Sequence, residues 1–384
     1  MPVESKNKRI HRLRDEVPIG HDEVLAGLWQ AAQRGRLPHA LMFGGPEGVG
    51  KHLAAEYFAR GLACEDGIGA PCGHCGPCKR LISGNYGDLH VLDIRSLGKN
   101  EIKVCYMTLR TDDASKKEMN GDVEDNIDTF LSLRASESGW RVVLVRDADR
   151  MNSNAQNALL KNLEEPGEQT LLILVTANPD RLLPTIHSRC VHVGFDRLPI
   201  EICEGIARER GLPADRAHTL SRWSGGAPGG ALELERRSAP ALVQEILDVL
   251  RGDKSPLLGA RNIAETDGDF LGTTDSACAR HRAQVTVDLA LQIVADRLRT
   301  SVGLAADELA FGREVEGAPV GVVEESRTRA AVDALLAGRQ DIERTMNADG
   351  ILDRCFLALG RLAPLPASRH APSREAGRTT GRRR

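Results

Sequence analysis

The chain has 384 residues, which is enough for about two to three domains. Its composition, 41% hydrophobic, 27% charged and 3% aromatic, is typical of a globular protein and excludes a fibre or a wholly disordered chain. The formal net charge of -3 argues against a protein that coats nucleic acid unaided, because phosphate binding requires clustered lysine and arginine. No stretch approaches the roughly 20 apolar residues of a membrane span, so the sequence predicts a cytoplasmic protein with no membrane partner.

The first part of the chain alternates apolar runs with helical patterns. Residues 40–43 predict a short strand, and residues 52–63 predict the helix that follows it. Two further continuous apolar runs, at 142–145 and 171–176, fit strands of a parallel sheet covered by helices on both faces. We therefore predict one α/β domain over residues 1–195.

Two segments of this domain carry more specific expectations. A helix is predicted over residues 152–165, with Ser153 or Asn154 as its N-terminal cap and Pro166 as its stop. Residues 111–128 are polar and charged, and we expect them to form an exposed loop or insertion.

The pattern after residue 195 is helical, with short breaks. Two small helices are predicted at 199–211 and 214–223, and the GGAPGG segment at 225–230 reads as a turn between helices. Longer amphipathic patterns without strand-like alternation cover 240–251, 278–300 and 325–362. These patterns predict a small helical domain at 196–237, an all-α domain at 238–363, and a disordered basic tail at 364–384.

A glycine-rich loop, GPEGVGKH at residues 45–52, lies between the first strand and its helix. In such a P-loop the backbone N–H groups surround the phosphates, the lysine pairs with β and γ oxygens, and a final Ser or Thr hydroxyl binds magnesium. Gly45, Gly48, Gly50 and Lys51 keep the first two functions. His52 replaces the hydroxyl, and imidazole is a poor ligand for a hard, oxygen-seeking ion.

The end of the strand at 141–145 gives a second test of this site. A P-loop ATPase of this class places an Asp for the metal there, followed by a Glu for the attacking water. The two positions read Arg146 and Asp147, which argues against hydrolysis. Alternatively, the two positions correspond to Asp147 and Asp149. We favour Arg146 and Asp147, because this assignment keeps a constant spacing to the helix that follows.

Four of the nine cysteines are crowded into one short segment. Cys64, Cys72, Cys75 and Cys78 form C-x7-C-x2-C-x2-C among glycines and prolines that permit tight turns. Four thiolates at this spacing favour a closed, tetrahedral structural zinc site, and the alternatives are a redox pair or a turn without metal. His74 lies inside the cluster and is able to replace one sulfur, although such a histidine more often faces solvent.

Several sequence blocks resemble the clamp-loader subunits of bacterial DNA polymerase III, which belong to the AAA+ group. In order, the blocks are HALMFGGPEGVGK, the cysteine cluster, GWRVVLVRDADRMNSNAQNALLKNLEEP and LLILVTANPDRLLPTIHSRC. The resemblance covers residues 20–235, and NALLKNLEEP and SRC are its most specific parts. It implies an AAA+ P-loop domain at 1–195, a helical lid at 196–237 and, by position only, an oligomerising collar at 238–363.

The resemblance also implies functions for particular residues. The SRC arginine, Arg189, is expected to reach the γ-phosphate bound by a neighbouring subunit as a trans arginine finger. Thr176 occupies the sensor position on the preceding strand. Motor subunits carry a sensor arginine in the lid, where this chain has Gly229.

Two types of subunit in this family differ in their nucleotide sites. The motor subunits, tau and gamma, hydrolyse ATP with intact motifs, whereas the rigid delta-prime type has a degraded site and an intact SRC block. His52, Arg146 and Gly229 make this chain similar to the delta-prime type. The implied partners are tau or gamma, delta, the sliding clamp and, through the complex, primer–template DNA. The implied cofactors are structural zinc, and ATP or ADP bound without turnover.

Two other functions remain open from the sequence. In the first, the chain is an active ATPase of the tau/gamma type, and Asp147 or Asp149 holds the metal in a variant site. Alternatively, it is a zinc-bearing nucleic-acid binder; the basic tail supports this, but only Lys79 and Arg80 follow the last cysteine of the cluster.

Overall fold

The computed structural model describes residues 12–93, 99, 101–120, 125–133, 135, 139–272, 274–316, 325–344 and 346–363. The chain divides into two compact units, Met1–Arg236 and Arg237–Arg384. None of the helices within the described residues is long and apolar enough to cross a membrane.

The first unit contains a parallel sheet. Its strands are β1 (Ala40–Gly44), β2 (Leu89–Leu92), β3 (Arg141–Val145), β4 (Thr170–Thr176) and β5 (Val191–Gly194). They lie in the order β2-β3-β4-β1-β5, and every pairing is parallel. All seven residues of β4 are buried, as expected of a central strand covered on both faces. The predicted α/β class with a parallel sheet is confirmed.

Helices of the first unit surround this sheet. They are α1 (Asp22–Gln33), α2 (Lys51–Leu62), α3 (Gly76–Ser83), α4 (Asp113–Glu118), α5 (Ile127–Ser132), α6 (Ser153–Glu164), α7 (Pro184–His187), α8 (Ile200–Glu209), α9 (Ala214–Trp223) and α10 (Pro228–Arg236). One apolar cluster joins α1 and α2 to the sheet through side chains such as Phe43, Phe58 and Leu144. A second cluster contains Met42, Val143 and α6 residues. Because adjacent strand residues enter different clusters, both faces of the sheet are covered.

The N-terminal cap of α6 differs from the prediction. Asn152 has extended backbone angles, and its Oδ1 accepts a hydrogen bond of 2.9 Å from the backbone N–H of Ala155. Ser153 and Asn154, the two alternative caps that the sequence predicts, are both already helical. A capping residue must precede the first helical residue, so Asn152 is the cap.

The segment 111–128, expected to be an exposed loop or insertion, is mostly exposed at 111–120 but contains α4 and the start of α5, so the expectation of a loop is wrong there. Asp112 caps α4 by accepting a hydrogen bond from the Ser115 N–H, and Met119 is buried. Asn126 and Ile127 are fully buried at the start of α5. A few anchoring side chains and two polar caps therefore order a segment whose average composition is polar. Residues 121–124 lie outside the described residues.

The predicted turn at 225–230 is shorter than expected, because α10 begins at Pro228 and includes Gly229 and Gly230. Pro is favourable in the first turn of a helix, where its missing N–H has no intrahelical partner to lose.

The second unit is helical throughout its described residues. Its helices are α11 (Ala239–Arg251), α12 (Pro256–Glu265), α13 (Asp275–Ser301), α14 (Gly312–Glu316), α15 (Glu325–Glu343) and α16 (Ala348–Gly360). The pattern at 325–362 thus forms two helices, and the Asn347 side chain caps the second. The expected basic tail at 364–384 lies outside the described residues.

Candidate functional site

The P-loop joins β1 to α2 as the sequence predicts. Gly45 and Gly50 have φ angles of 150° and 107°, which L side chains rarely adopt. A Cβ on Gly45 would lie 2.0 Å from the carbonyl oxygen of Phe195. The loop therefore requires glycine at this position for both conformation and space.

Lys51 points back into this loop. Its Nζ donates hydrogen bonds to the carbonyl oxygens of Gly45 at 2.7 Å and Pro46 at 2.6 Å. Burial lowers the pKa of Lys51 to about 8, against the opposing effect of nearby acidic groups that include Glu47 and Asp149. The ammonium thus points into the loop, with backbone carbonyls as its acceptors.

The metal-binding region beside the loop contains a cation and an imidazole. Arg146, directly after β3, forms ion pairs with Glu56 of α2 and, at 2.5 Å, with Asp93 after β2. Nε2 of His52 lies 3.7 Å from Oδ1 of Asp147, and Nδ1 of His52 is buried with no hydrogen-bond partner among the described residues. These groups do not form the oxygen-rich site that Mg²⁺ prefers.

Glu56 is the residue of this region that sequence reasoning missed. It is fully buried, and besides Arg146 it binds Arg14, whose Nη2 lies 2.9 Å from Oε1 and whose backbone N–H lies 2.8 Å from Oε2. The available signal was a glutamate within the predicted helix at 52–63, five positions after Lys51. A buried carboxylate of this kind requires a cationic partner.

Asp149, the metal ligand in the alternative assignment, accepts hydrogen bonds from β4 and from the loop after it. Its Oδ1 accepts a hydrogen bond of 2.8 Å from the hydroxyl of Thr176, and its Oδ2 accepts one of 3.2 Å from Nδ2 of Asn178. Thr176 is 1% exposed and pairs in register with Gly44, so the sensor position lies beside the start of the P-loop. Through this hydrogen bond, Thr176 links the end of β4 to the segment that follows β3.

Helix α10 lies against the tip of the P-loop. The backbone N–H of Gly229 donates a hydrogen bond of 2.8 Å to the carbonyl oxygen of Gly48. A Cβ on Gly48 would lie 2.5 Å from the backbone nitrogen of Gly230. A Cβ would clash at Gly48 and would be crowded at Gly229, so α10 contacts the loop through its backbone.

Arg189 lies directly after α7, away from these groups. Its Nη2 donates a hydrogen bond of 2.6 Å to Oε1 of Glu164, and its Nη1 donates to the carbonyl oxygen of Thr185 and the hydroxyl of Ser188. Cys190 is 7% exposed and belongs to the apolar cluster of α6. The SRC block thus combines a buried anchor with a surface arginine, and no contact joins Arg189 to the P-loop within the described residues.

The four predicted metal ligands lie together in the loop between α2 and α3 and in the first turn of α3. The Sγ atoms of Cys64, Cys72, Cys75 and Cys78 are all within 4.8 Å of one another. Tetrahedral zinc with Zn–S bonds of about 2.3 Å requires sulfurs about 3.8 Å apart, so the four thiols fit this ion. Cys75 precedes α3 and Cys78 lies in its first turn, which fixes two ligands on one short helix.

His74 does not enter this cluster. Its side chain is 76% exposed, and Nε2 lies 3.9 Å from Oδ2 of Asp66. Its Nδ1 is 2.9 Å from the carbonyl oxygen of Cys72, and the imidazole, Asp66 and Cys72 also form a group compatible with a metal ion. The tetrathiolate set is the more enclosed of the two.

Comparison with known proteins gives matches of two types. A family model described as DNA polymerase III, delta subunit matches residues 20–199. The chain is 33% identical to DNA polymerase III subunit delta' of Pseudomonas aeruginosa over 62% of this chain and 69% of that protein. It is 33% identical to subunit delta' of Bacillus subtilis over 56% and 58% of the respective chains. It is 29% identical to subunit gamma/tau of Mycobacterium tuberculosis over 82% of this chain and 53% of that protein.

Proposed function

Because the chain belongs to the clamp-loader subunits of bacterial DNA polymerase III, we propose that it acts as the delta-prime-type member of such a complex. In this function it helps tau or gamma and delta to place the sliding clamp on primer–template DNA. Its own nucleotide site does not hydrolyse ATP. The collar, residues 238–363, joins it to the other subunits.

The observation that carries the proposal is the ion pairing of Arg146. A catalytic site of this class needs a carboxylate at the end of β3 to hold Mg²⁺. Here that position presents a guanidinium, which repels a divalent cation, and the two nearby carboxylates of Glu56 and Asp93 already bind it. His52 adds no oxygen ligand, so the site lacks both protein groups that normally hold the metal.

The remaining P-loop groups favour phosphate binding without turnover. Gly45, Gly48 and Gly50 keep the loop geometry, and Lys51 can exchange its two carbonyl acceptors for phosphate oxygens. ATP or ADP bound in this way would act as a structural ligand, and Thr176 would stabilise the site through Asp149.

Arg189 is the one residue that we assign to catalysis. It lies on the surface with a third of its side chain exposed, and a neighbouring motor subunit can reach it. A trans arginine finger stabilises the charge that develops on the γ-phosphate and is worth about 10³ to 10⁵ in rate. The subunit would then complete the active site of its neighbour.

Reconstitution with the other clamp-loader subunits tests this function. The isolated chain should show no ATP turnover, Arg189→Ala should slow the DNA-stimulated ATPase of the complex, and Lys51→Ala should leave it nearly unchanged. An unchanged rate with Arg189→Ala contradicts the trans arginine finger. Loss of the rate with Lys51→Ala contradicts the inactive P-loop.

An active motor of the gamma/tau type is the second candidate, because the match to a gamma/tau subunit covers 82% of this chain. It would use Asp147 with a weakly bound metal, since Asp149 already accepts two hydrogen bonds. Magnesium-dependent turnover by the isolated chain, lost in Lys51→Ala, distinguishes this candidate.

A further inference from the structure

The carboxylate of Glu164, the last residue of α6, lies against the guanidinium of Arg189. Its Oε1 accepts the hydrogen bond of 2.6 Å from Nη2. On Nη1, the Thr185 carbonyl oxygen accepts at 3.0 Å and the Ser188 hydroxyl at 3.3 Å. Both terminal nitrogens are thus engaged within one unit, so the guanidinium has a defined direction before any partner binds.

We infer that Glu164 is a positioning residue for Arg189, an inference that rests on the proposed function. An arginine side chain loses much rotational freedom when it is ordered. If Glu164 already orders the Arg189 side chain in the resting subunit, this loss of rotational freedom does not add to the activation barrier for cleavage of the γ-phosphate in the neighbouring subunit. Pre-orientation of the charge raises kcat more than it changes the binding of ATP.

The contact has little importance for folding. The Glu164 side chain is 52% exposed, and exposed ion pairs contribute little to the stability of a protein. The backbone that presents it is nevertheless well fixed, because Leu159 and Leu163 of the same helix are buried. Cys190 fixes the other side of the pair in the same apolar cluster. Two rigid attachments give the ion pair a reproducible geometry.

Steady-state ATPase measurements on the reconstituted complex, with clamp and primed DNA, test the inference. Glu164→Ala should lower kcat by about 2- to 10-fold, the range expected when one flexible side chain must be ordered during the reaction, and should leave KM for ATP nearly unchanged. Glu164→Gln retains an acceptor oxygen and should recover part of the rate. Glu165→Ala removes the same charge from the next residue, which makes none of the contacts of Arg189 in the described residues, and should match the unmodified complex.

A double variant separates positioning from a general structural effect. Glu164→Ala should cause no further loss when Arg189 is already alanine, because Glu164 acts only through that side chain. An additional loss in the double variant, an unchanged rate in Glu164→Ala, or a faster rate in that variant would each overturn the inference. If Arg189→Ala leaves the ATPase rate of the complex unchanged, the proposed trans function fails. If Arg189→Ala lowers the rate but Glu164→Ala does not, only the positioning role of Glu164 is rejected.

Discussion

At the scale of single residues, Arg146, the residue at the expected metal-ligand position, forms a largely buried network of ion pairs. Glu56 is fully buried, and Arg14 and Arg146 supply its positive partners. Removing one member of a buried ion pair leaves an uncompensated charge in a poorly solvated place. Arg146 therefore contributes to folding at the position where a motor subunit uses an aspartate for catalysis.

This contribution predicts that restoring the catalytic residue will be harmful. Arg146→Asp places a third carboxylate beside Glu56 and Asp93, and should lower the free energy of unfolding by about 3 kcal/mol without producing turnover. Denaturant unfolding and an ATPase assay measure the two effects. Arg150→Asp, with the same charge change on a side chain without an ion pair in the described residues, serves as the control. Equal stability of the two variants would contradict the structural function of Arg146.

The sequence indicated the local parts of the site better than its long-range contacts. Gly45, Gly50 and Lys51 were identified because a phosphate loop is one continuous motif. The pair between Glu56 and Arg146 joins residues 90 positions apart. Neither residue is unusual by itself, so only the fold, which places α2 near the segment that follows β3, brings their charges together.

At the scale of secondary-structure elements, burial decided which strands were predictable. The central strands β1, β3 and β4 are covered on both faces and consist of continuous apolar runs. Strand β5, VHVG, is largely exposed at the edge of the sheet beside β1, so it has no apolar run, and its alternation over four residues is too short to predict a strand. Strand β2 has only four residues and is interrupted by His90, which is too little signal without its neighbour β3.

The cysteine-bearing loop is an element whose order we expect to depend on zinc. It crosses α2 so closely that a Cβ on Gly61 would lie 2.0 Å from the carbonyl oxygen of Gly69. The Gln33 side chain holds the same loop through a hydrogen bond of 2.7 Å to the Ile68 carbonyl oxygen. Zinc would connect the end of α2 to the start of α3 and so fix the loop between them.

Metal analysis of the purified protein tests this expectation. The chain should contain about one zinc, and Cys78→Ser should reduce this to nearly none and lower the thermal stability, because three thiolates with a hydroxyl bind zinc less tightly than four thiolates. Cys278→Ser changes a cysteine of the second unit and should retain the metal. Zinc-free protein with four reactive thiols would show that the loop is ordered without an ion.

At the scale of the whole molecule, the two compact units differ in architecture. Met1–Arg236 contains the sheet and both of its apolar clusters, and Arg237–Arg384 is helical in its described residues. The sequence predicted the change from alternating strands and helices to helices alone after residue 195, which lies inside the first unit. The division also agrees with the proposal that nucleotide-site and assembly functions belong to different parts of the chain.

Truncation after Arg236 should therefore separate these functions. The fragment 1–236 should fold cooperatively, because its core clusters lie within it, and should retain zinc. It should fail to co-purify with the other clamp-loader subunits, since it lacks the proposed collar. Circular dichroism, metal analysis and co-purification with full-length protein as the control measure these results. A fragment that enters the complex normally would contradict the collar assignment.

The contact between Gly48 and Gly229 has a consequence for the history of such a protein. An arginine at position 229 would place its Cβ 3.0 Å from the Gly48 carbonyl oxygen and 3.1 Å from its Cα, so the P-loop or α10 would have to shift by a few tenths of an ångström. Substitution of His52 or Arg146 would leave that crowding in place. If the proposed function is right, a gain of nucleotide sensing would therefore need coordinated changes in the loop and in α10. Single substitutions toward a motor site would each bring a cost before any benefit, which favours retention of the present geometry.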